Sequence, residues 1–363
     1  MYKFRAATYH APPASGNLDS YLSRLKLEEF NRVAKELTAK KEVWSLRVVS
    51  PPVEETLRIL DVRLDEYVES FYEKAMQAAS YVAFPLENVD SNKLIGLMSS
   101  FDRAYFSVTY REENVEKICE VLRRVPEQVG WVAASRFAVA FGERPVTPYF
   151  PVTLSTREGL SLSLLYPNHL TEKLNTGLTL ADALRSVALE AYKLAYTALD
   201  SSGSQLPLLG VDLSLSPWGS ESVAALLERI LSMTLFSPGT FTVIRWVNEH
   251  LHALARSLYA TGFNEVMLPL AEDDRLKELA AVGHLKFRDL LAATPACVTG
   301  VDMVPIPSST EEAILRWIMR DLEEVRRLKG KPLGMRLLLV DAEPGDEVDL
   351  GMFGKTPVLD PVL

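Results

Sequence analysis

Apolar segments of strand character alternate with amphipathic helical patterns along most of this 363-residue chain. In the first half, strand signals at residues 3–9, 43–49 and 103–110 are separated by helical patterns. Strands that alternate with helices need crossover connections, which favour parallel pairing in a layered α/β fold. The length suits either two ordinary domains or one large α/β barrel.

The second half repeats this alternation, with strand signals at residues 206–216, 263–270, 299–306 and 334–341. We therefore expect a single large α/β domain over residues 1–363. It would consist of an N-terminal α/β half (1–142), an irregular seam (143–178) and a C-terminal half (179–363). The seam begins with "GERPVTPYFPVTLSTREG", whose prolines and glycines are typical of an irregular surface segment or a domain boundary.

Composition excludes several classes of protein. A hydrophobic content of 48% with 24% charged residues is that of a soluble globular protein. No apolar run is long enough to span a membrane, and the first residues lack the apolar core of a signal peptide, so we expect a cytoplasmic protein. The net charge of −9 argues against binding to nucleic acid. Two cysteines, Cys119 and Cys297, cannot form a cysteine-rich zinc site.

Four motifs occur in a fixed order in the second half: "GVDLSLSPWGSESVAALLE" (210–228), "MLPLAEDDRL" (267–276), "ACVTGVDMVPIP" (296–307) and "GDEVDLGMFGKTPV" (345–358). Together they resemble the family called domain of unknown function seven-eleven. The resemblance implies a barrel of the pyruvate formate-lyase type, with two parallel half-sheets surrounded by helices. Scarce glutamine is consistent with a thermophilic source, and we expect an archaeal protein that forms a homo-oligomer.

The chain departs from this family pattern at two places. A glycine-rich segment expected between about residues 165 and 180 is missing, so a site built from it would be altered. The segment "DLGMFGKTPV" does not have the context of a radical-bearing glycine. We therefore expect that the protein is not a glycyl-radical lyase, since a shared fold does not carry function with it.

Asp212 and Asp302 each follow Gly-Val in an apolar strand. A strand that is buried on both faces has little room for an unpaired carboxylate. Both aspartates are therefore candidates for catalysis or for contact with a ligand or cation near a strand end. The alternative is a helix cap or a buried ion pair that holds the fold together.

Cys297 is a candidate nucleophile because it lies in a loop-like context just before a strand, although a thiol needs a base or positive charge to react. The alternative is a buried, inert cysteine. Glu272 and Asp273 end another strand and could hold a divalent metal ion through their oxygens. Alternatively, they form the acidic first turn of a helix. The cofactor is otherwise unknown.

Four hydroxyl side chains near strand ends are candidates for substrate binding: Ser155, Thr156, Ser214 and Ser216. Their alternative role is to cap turns and helices, because no nucleophile-elbow motif accompanies them. We expect an enzyme that acts on a small polar metabolite, with Asp212, Asp302 and Cys297 in its catalytic site. The alternative is a non-catalytic ligand-binding or assembly protein on the same barrel. Neither hypothesis involves nucleic acid or a membrane.

Overall fold

Apolar strands and amphipathic helices build a mixed α/β fold in the computed structural model, which describes residues 2–298 and 300–362. The strands of the described residues are β1 (Lys3–His10), β2 (Leu46–Val49), β3 (Tyr81–Leu86), β4 (Ala104–Thr109), β5 (Phe137–Phe141), β6 (Gly159–Leu165), β7 (Leu208–Asp212), β8 (Val304–Pro307), β9 (Leu333–Met335), β10 (Leu337–Val340), β11 (Glu347–Asp349) and β12 (Lys355–Pro357).

The helices of the same residues are α1 (Leu18–Ser23), α2 (Leu27–Lys40), α3 (Val53–Leu60), α4 (Leu64–Ala75), α5 (Ser91–Ser100), α6 (Val115–Gln128), α7 (Trp131–Ala134), α8 (Pro167–Asn175), α9 (Leu180–Ser201), α10 (Val223–Leu231), α11 (Thr240–Leu258), α12 (Asp274–Ala281), α13 (Phe287–Ala293) and α14 (Glu312–Lys329). Within the described part of the chain, none of these helices combines the length and the apolar character that crossing a membrane requires.

The central sheet has eight strands in the order β7-β6-β1-β2-β3-β4-β5-β9. Strands β1 to β5 are parallel to one another, as the alternation with helices predicts. Strand β6 runs antiparallel to β1 and parallel to β7, and β9 runs antiparallel to β5. The sheet therefore contains two groups of strands that run in opposite directions.

The regular strands of the described residues do not close into the barrel that we expected. The large sheet ends at β7 and β9, and β8 pairs with β10 in a separate parallel sheet. Irregular backbone hydrogen bonds occur between these elements. The Leu215 N–H donates to the Glu265 carbonyl at 3.1 Å, and the Leu270 N–H donates to the Asp302 carbonyl at 3.0 Å.

The two faces of β5 pack against different parts of the chain. Phe137, Val139 and Phe141 join the main apolar core, whereas Ala138 and Ala140 form a separate cluster with Val152. Alternate residues of a strand point to opposite faces, so residue 152 lies on the face of β5 that is turned away from the main core. Small alanine side chains leave room there for an irregular segment of the chain.

The segment 143–158, which we expected at the surface or at a domain boundary, is buried over much of its length. Its fully buried side chains include Thr147, Thr153 and Ser155. The expected irregular seam also ends early, because residues 159–165 form β6 and residues 167–175 form α8. Apolar packing around Val152 and Tyr149 explains why so many prolines are accommodated inside the fold.

His10 at the end of β1 provides a test of this buried environment. Its imidazole is fully buried, its Nε2 lies 2.7 Å from the Ser161 Oγ, and burial lowers its pKa to about 3. The unfolded chain binds a proton near pH 6.5, so the His10 contribution to stability is present above pH 6.5 and is lost as the pH falls towards 3.

We expect the free energy of unfolding to fall by about 2 kcal/mol more in the wild type than in His10→Gln between pH 7 and pH 5. Glutamine can place an amide nitrogen near the position of Nε2 but does not titrate. Urea denaturation at both pH values measures the difference. Equal pH dependence in the two proteins would show that His10 is not held neutral by burial.

Candidate functional site

A cavity with one charged region and mostly apolar walls lies where several strand ends meet. Its empty volume is about 970 Å³, which includes space open to solvent. Five charged side chains line it, namely Arg5, Arg47, Glu272, Asp302 and Arg336. Its aromatic lining consists of Trp44, Tyr81, Tyr105, Tyr149, Phe150, Trp218, Phe263 and Phe353. Concave, largely apolar cavities with a few convergent polar groups are typical ligand sites.

Local irregularities of the backbone bring the charged side chains together. Arg5 lies on β1 where the register with β6 shifts between Phe4 and Ala6. Such a bulge changes the direction of a side chain. Arg336 is the single residue between β9 and β10, and one residue separates Asp302 from the start of β8. Glu272 ends a short 3-10 helix that spans Leu270–Glu272.

Four of the five charged groups form one buried chain of ion pairs. The Arg336 Nε donates to the Asp302 Oδ1 at 2.6 Å, and the Arg336 Nη2 donates to the Asp302 Oδ2 at 2.8 Å. The same Nη2 lies 3.0 Å from the Glu272 Oε1, and the Arg5 Nη2 lies 2.5 Å from the Glu272 Oε2. All four side chains are less than a tenth exposed. Removal of one partner from such a buried ion pair strongly destabilises a protein, because the other charge is left buried and unpaired.

Burial and pairing act in opposite directions on these groups. Burial opposes ionisation of Glu272, but Arg5 and Arg336 bring its pKa below the usual value. Burial raises the pKa of Asp302, although Arg336 acts against this effect. Burial alone would lower the pKa of Arg336, yet Asp302 and Glu272 raise it above its ordinary value. Glu272 is therefore the more firmly ionised of the two carboxylates.

Arg47 is the charged residue of the cavity that has no carboxylate partner among the described residues. Its Nε donates to the Ser45 Oγ and its Nη1 to the Pro148 carbonyl, both at 3.0 Å. Burial lowers its pKa to about 10, and repulsion from Arg5 adds to this effect. The Arg47 guanidinium also lies 5.1 Å from the centre of the Phe150 ring.

Arg5 is surrounded by aromatic rings. Its guanidinium carbon lies 5.5 Å from the centre of a ring of Trp44, 5.6 Å from that of Trp218 and 5.9 Å from that of Tyr149. Its Nη1 donates to the Pro217 carbonyl and lies 3.4 Å from the Ser216 Oγ, while its buried Nε has no acceptor among the described residues. Among the described residues, Arg47 thus has no carboxylate for its positive charge, and Arg5 has a hydrogen-bond donor without an acceptor.

Three of the residues singled out in the sequence line this cavity: Asp302, Glu272 and Ser216. The Ser216 Oγ accepts a hydrogen bond from the Tyr149 hydroxyl at 2.9 Å and so helps to fix the aromatic wall. Asp302 and Glu272 are joined through Arg336. These contacts therefore also fit the alternative interpretation, in which Asp302 and Glu272 belong to buried ion pairs that hold the fold together.

Asp212 has a structural position that is separate from the cavity lining. Its carboxylate accepts hydrogen bonds from the Thr147 hydroxyl at 2.7 Å, from the Ser214 hydroxyl at 2.6 Å, and from the N–H groups of Ser214, Phe263 and Asn264. Burial raises the pKa of Asp212, whereas these hydrogen bonds act to lower it. Ser214 is fully buried beside it. Both residues anchor loops, and their expected roles in catalysis and substrate binding stay predictions.

Asp273 and Glu272 have different hydrogen-bond partners. Asp273 accepts hydrogen bonds from the Ser222 hydroxyl at 2.6 Å and from the N–H groups of Arg275 and Leu276, which makes it the N-cap of α12. The Glu272 carboxylate accepts hydrogen bonds from two arginine side chains. Among the described residues, no group of three or more His, Cys, Asp or Glu side chains could hold a metal ion. Metal binding by Glu272 and Asp273 stays a prediction.

Cys297 lies in the apolar core and not among the residues that line the cavity. Its side chain is fully buried, and its backbone carbonyl accepts a hydrogen bond from the Lys329 ammonium at 2.5 Å. A nucleophile needs access to its substrate, and this position gives the Cys297 side chain no access to the cavity. The catalytic role expected for Cys297 stays a prediction.

Ser155 and Thr156 also lie outside the main cavity. The fully buried Ser155 donates a hydrogen bond to the Ala11 carbonyl at 2.5 Å. Thr156 is exposed and lines a different surface cavity, together with Arg144 and Arg326. Neither residue lines the cavity that contains Asp302, and their expected role in substrate binding stays a prediction.

The three arginines of the cavity are the functional candidates that motif analysis missed. Each is a single charge within an apolar strand segment: "KFRAA" for Arg5, "SLRVV" for Arg47 and "GMRLLL" for Arg336. A charge in an apolar strand is costly to bury unless it is paired. This pattern could have identified all three residues, although not their mutual contacts.

Loss of Arg336 should be strongly destabilising. We expect Arg336→Met to lower the free energy of unfolding by about 3–5 kcal/mol, because it leaves Asp302 buried without its partner. The control is Arg63→Met, which breaks the exposed pair of Arg63 with Asp65 and should cost less than about 1 kcal/mol. Urea denaturation compares them, and similar costs would contradict a buried network.

Asp212→Asn distinguishes an anchoring carboxylate from one that contacts a ligand. The amide nitrogen cannot accept the hydrogen bonds that reach Asp212, so at least one buried donor would lose its acceptor. We expect a loss of about 3 kcal/mol in the free energy of unfolding. A thermal melt and a urea titration measure it. A variant as stable as the wild type would show that these bonds do not hold the loops.

Comparison with known proteins supports the resemblance seen in the motifs. The model of the family described as "Uncharacterised ACR (DUF711)" matches residues 97–351. The UPF0210 protein of Pyrobaculum aerophilum is 32% identical over 190 residues, which cover 50% of this chain and 42% of that protein. The UPF0210 protein of Methanopyrus kandleri is 33% identical over 157 residues, covering 41% of this chain and 34% of its own.

A bacterial relative shows that the similarity is not confined to archaea. The UPF0210 protein of Lactiplantibacillus plantarum is 27% identical over 168 residues, which cover 45% of this chain and 38% of that protein. The names of these relatives state no activity. The chain spans about two fifths of the length of the curated relatives it matches. Because the family model matches more than half of its residues, the chain belongs to the DUF711 family.

Proposed function

We propose that the cavity binds a small organic anion and that Arg47 receives its negative charge. The observation that carries this proposal is the Arg47 guanidinium, which lines the cavity without a carboxylate partner among the described residues. A partly buried cation without a counter-ion is unfavourable. An anion that enters the cavity would remove this cost.

The charge balance of the cavity supports a ligand with one negative charge. Three arginines and two carboxylates line it, so one positive charge is uncompensated. Repulsion between Arg47 and Arg5 contributes to the lowered pKa of Arg47. An anion placed near both guanidinium groups would be attracted by each of them, and these attractions would offset the repulsion between the two arginines. The Arg5 Nε, which lacks an acceptor among the described residues, is a further potential donor.

Catalysis is a second candidate function, and Asp302 is the residue that favours it. Burial raises the pKa of this carboxyl group, and Asp302 lines the cavity. A carboxyl group with a raised pKa can act as a general acid or base. The bidentate contact with Arg336 makes Asp302 less available for proton transfer. We therefore place ligand binding first and acid–base catalysis by Asp302 second.

We further propose that the two groups of strands belong to a barrel of two parallel half-sheets, as the family resemblance implies. Antiparallel pairs join the groups at β1–β6 and at β5–β9. The irregular bonds of Leu215 with Glu265 and of Leu270 with Asp302 would continue the second group from β7 to β8. In this arrangement, the buried segment 143–158 would fill the barrel interior beside the cavity.

Thermal melts with a panel of small anions test the proposed function. The panel contains acetate, pyruvate, benzoate and inorganic phosphate, each at millimolar concentration. We expect at least one anion to raise the melting temperature of the wild type by a few degrees, as binding to the folded state requires. Arg47→Met should lose this shift, and Arg63→Met should keep it.

Arg47→Met should itself be no less stable than the wild type without ligand, because it removes an uncompensated charge that Arg5 repels. This result would distinguish Arg47→Met from Arg336→Met, because loss of the Arg336 side chain breaks existing ion pairs. If no anion of the panel shifts the melting temperature of the wild type, or if Arg47→Met shifts as much as the wild type, the proposed function is wrong.

A further inference from the structure

We infer that the ligand of this cavity is a monocarboxylate with a flat apolar body of about one aromatic ring. The inference rests on the proposed function, since it specifies which class of anion Arg47 receives. It combines three features of the cavity: where its charge lies, what lines the rest of its wall, and how many negative charges it can neutralise.

The charged groups of the cavity form one connected patch. Arg5, Glu272, Arg336 and Asp302 are linked by direct hydrogen bonds. Arg47 is close enough to Arg5 for their repulsion to affect its pKa. A ligand therefore meets all the charged groups on one side, and a single charged head group would satisfy them.

The remaining wall of the cavity is mainly aromatic and apolar, apart from Ser45 and Ser216. Besides its aromatic rings it contains three methionines, Met267, Met335 and Met352. Methionine side chains adapt to different shapes and make favourable contacts with aromatic rings. The polar atoms of this wall are uncharged: they are the hydroxyls of Ser45, Ser216 and the three tyrosines, and the indole N–H groups of Trp44 and Trp218. A second charge on a ligand would therefore be desolvated there without a charged partner.

Aromatic rings begin directly beside the unpaired cation. The Phe150 ring centre is 5.1 Å from the Arg47 guanidinium and 5.8 Å from the centre of the Tyr105 ring. Tyr105 in turn packs edge-on against Tyr81 at 5.5 Å. A carboxylate on Arg47 would therefore place an attached ring next to Phe150, where aromatic pairs contribute beyond simple burial.

The charge count argues against phosphate and dicarboxylates as ligands. One uncompensated positive charge is neutralised by one carboxylate, whereas a second negative charge would lie near Asp302 and Glu272. Arg336 and Arg5 already donate to these two carboxylates. They cannot turn to a dianion without leaving a buried carboxylate unpaired.

The mouth of the cavity extends the apolar wall. Met352 and Phe353 lie in the turn between β11 and β12, and both line the cavity. The Phe353 ring centre is 5.4 Å from that of Trp218, while Met352 is 56% exposed. An exposed methionine beside an aromatic wall can cover the apolar end of a ligand whose carboxylate lies deeper, at Arg47.

Isothermal titration calorimetry with the full chain tests this ligand class. The probes are acetate, benzoate, benzyl alcohol, phthalate and inorganic phosphate. We expect benzoate to bind at least about tenfold more tightly than acetate, because it buries a ring in the apolar part of the cavity. Benzyl alcohol lacks the charge, phthalate carries two negative charges, and phosphate is mainly a dianion when the titrations are run at about pH 8. All three should bind more weakly than benzoate.

Two variants locate the ring of the ligand. Ala138→Leu adds volume at the apolar wall beside Val152 and should weaken benzoate binding about tenfold more than it weakens acetate binding. Met352→Ala changes an exposed side chain that is not needed for folding, and should weaken benzoate binding a few-fold. If Ala138→Leu does not fold, Met352→Ala still tests the apolar wall.

The outcomes separate this inference from the proposed function. Equal binding of acetate and benzoate, lost in Arg47→Met, would overturn the aromatic monocarboxylate and leave the anion site standing. Tighter binding of phosphate or phthalate than of benzoate would overturn the single carboxylate. If none of the anions binds, both proposals fail.

Discussion

The imbalance between three arginines and two carboxylates in one cavity is the constraint on which the site depends. Arg336 holds Asp302 and Glu272, and Arg5 completes the pairing of Glu272. Arg47 faces the same space without a carboxylate. Buried charges are tolerated when they are paired and hydrogen-bonded. The paired groups are therefore tolerated inside the fold, and we propose that Arg47, which has no carboxylate partner among the described residues, provides affinity for an anion.

The backbone reaches this arrangement through irregular structure. A bulge at Arg5, a break between β9 and β10 at Arg336, and a short 3-10 helix at Glu272 each interrupt regular pairing. Asp273 directly follows Glu272 in sequence, but it caps a helix, and Asp212 holds loops. Neighbouring carboxylates thus have different roles because different donors surround them.

Local patterns predicted much of the framework, and they predicted little of the site. The Asp182 N–H donates to the Thr179 Oγ1 at 3.1 Å and caps α9, a contact between residues three apart that a local pattern can show. Residues 53–75 contain two helices, α3 and α4, with Asp61 in a left-handed conformation between them. Asp302, Glu272 and Ser216 line the cavity, but the partners of Glu272 include Arg5, 267 residues away. Residues this far apart in sequence do not belong to one motif, so no sequence pattern shows that they are in contact.

Anomalous diffraction from a crystal soaked in sodium iodide shows whether an anion binds beside Arg47. Iodide is a monoanion that can be located without any assumption about the organic part of the ligand. We expect an iodide peak inside the cavity, in contact with the Arg47 guanidinium and absent from Arg47→Met crystals. Iodide peaks confined to the outer surface, with none in the cavity, would contradict it.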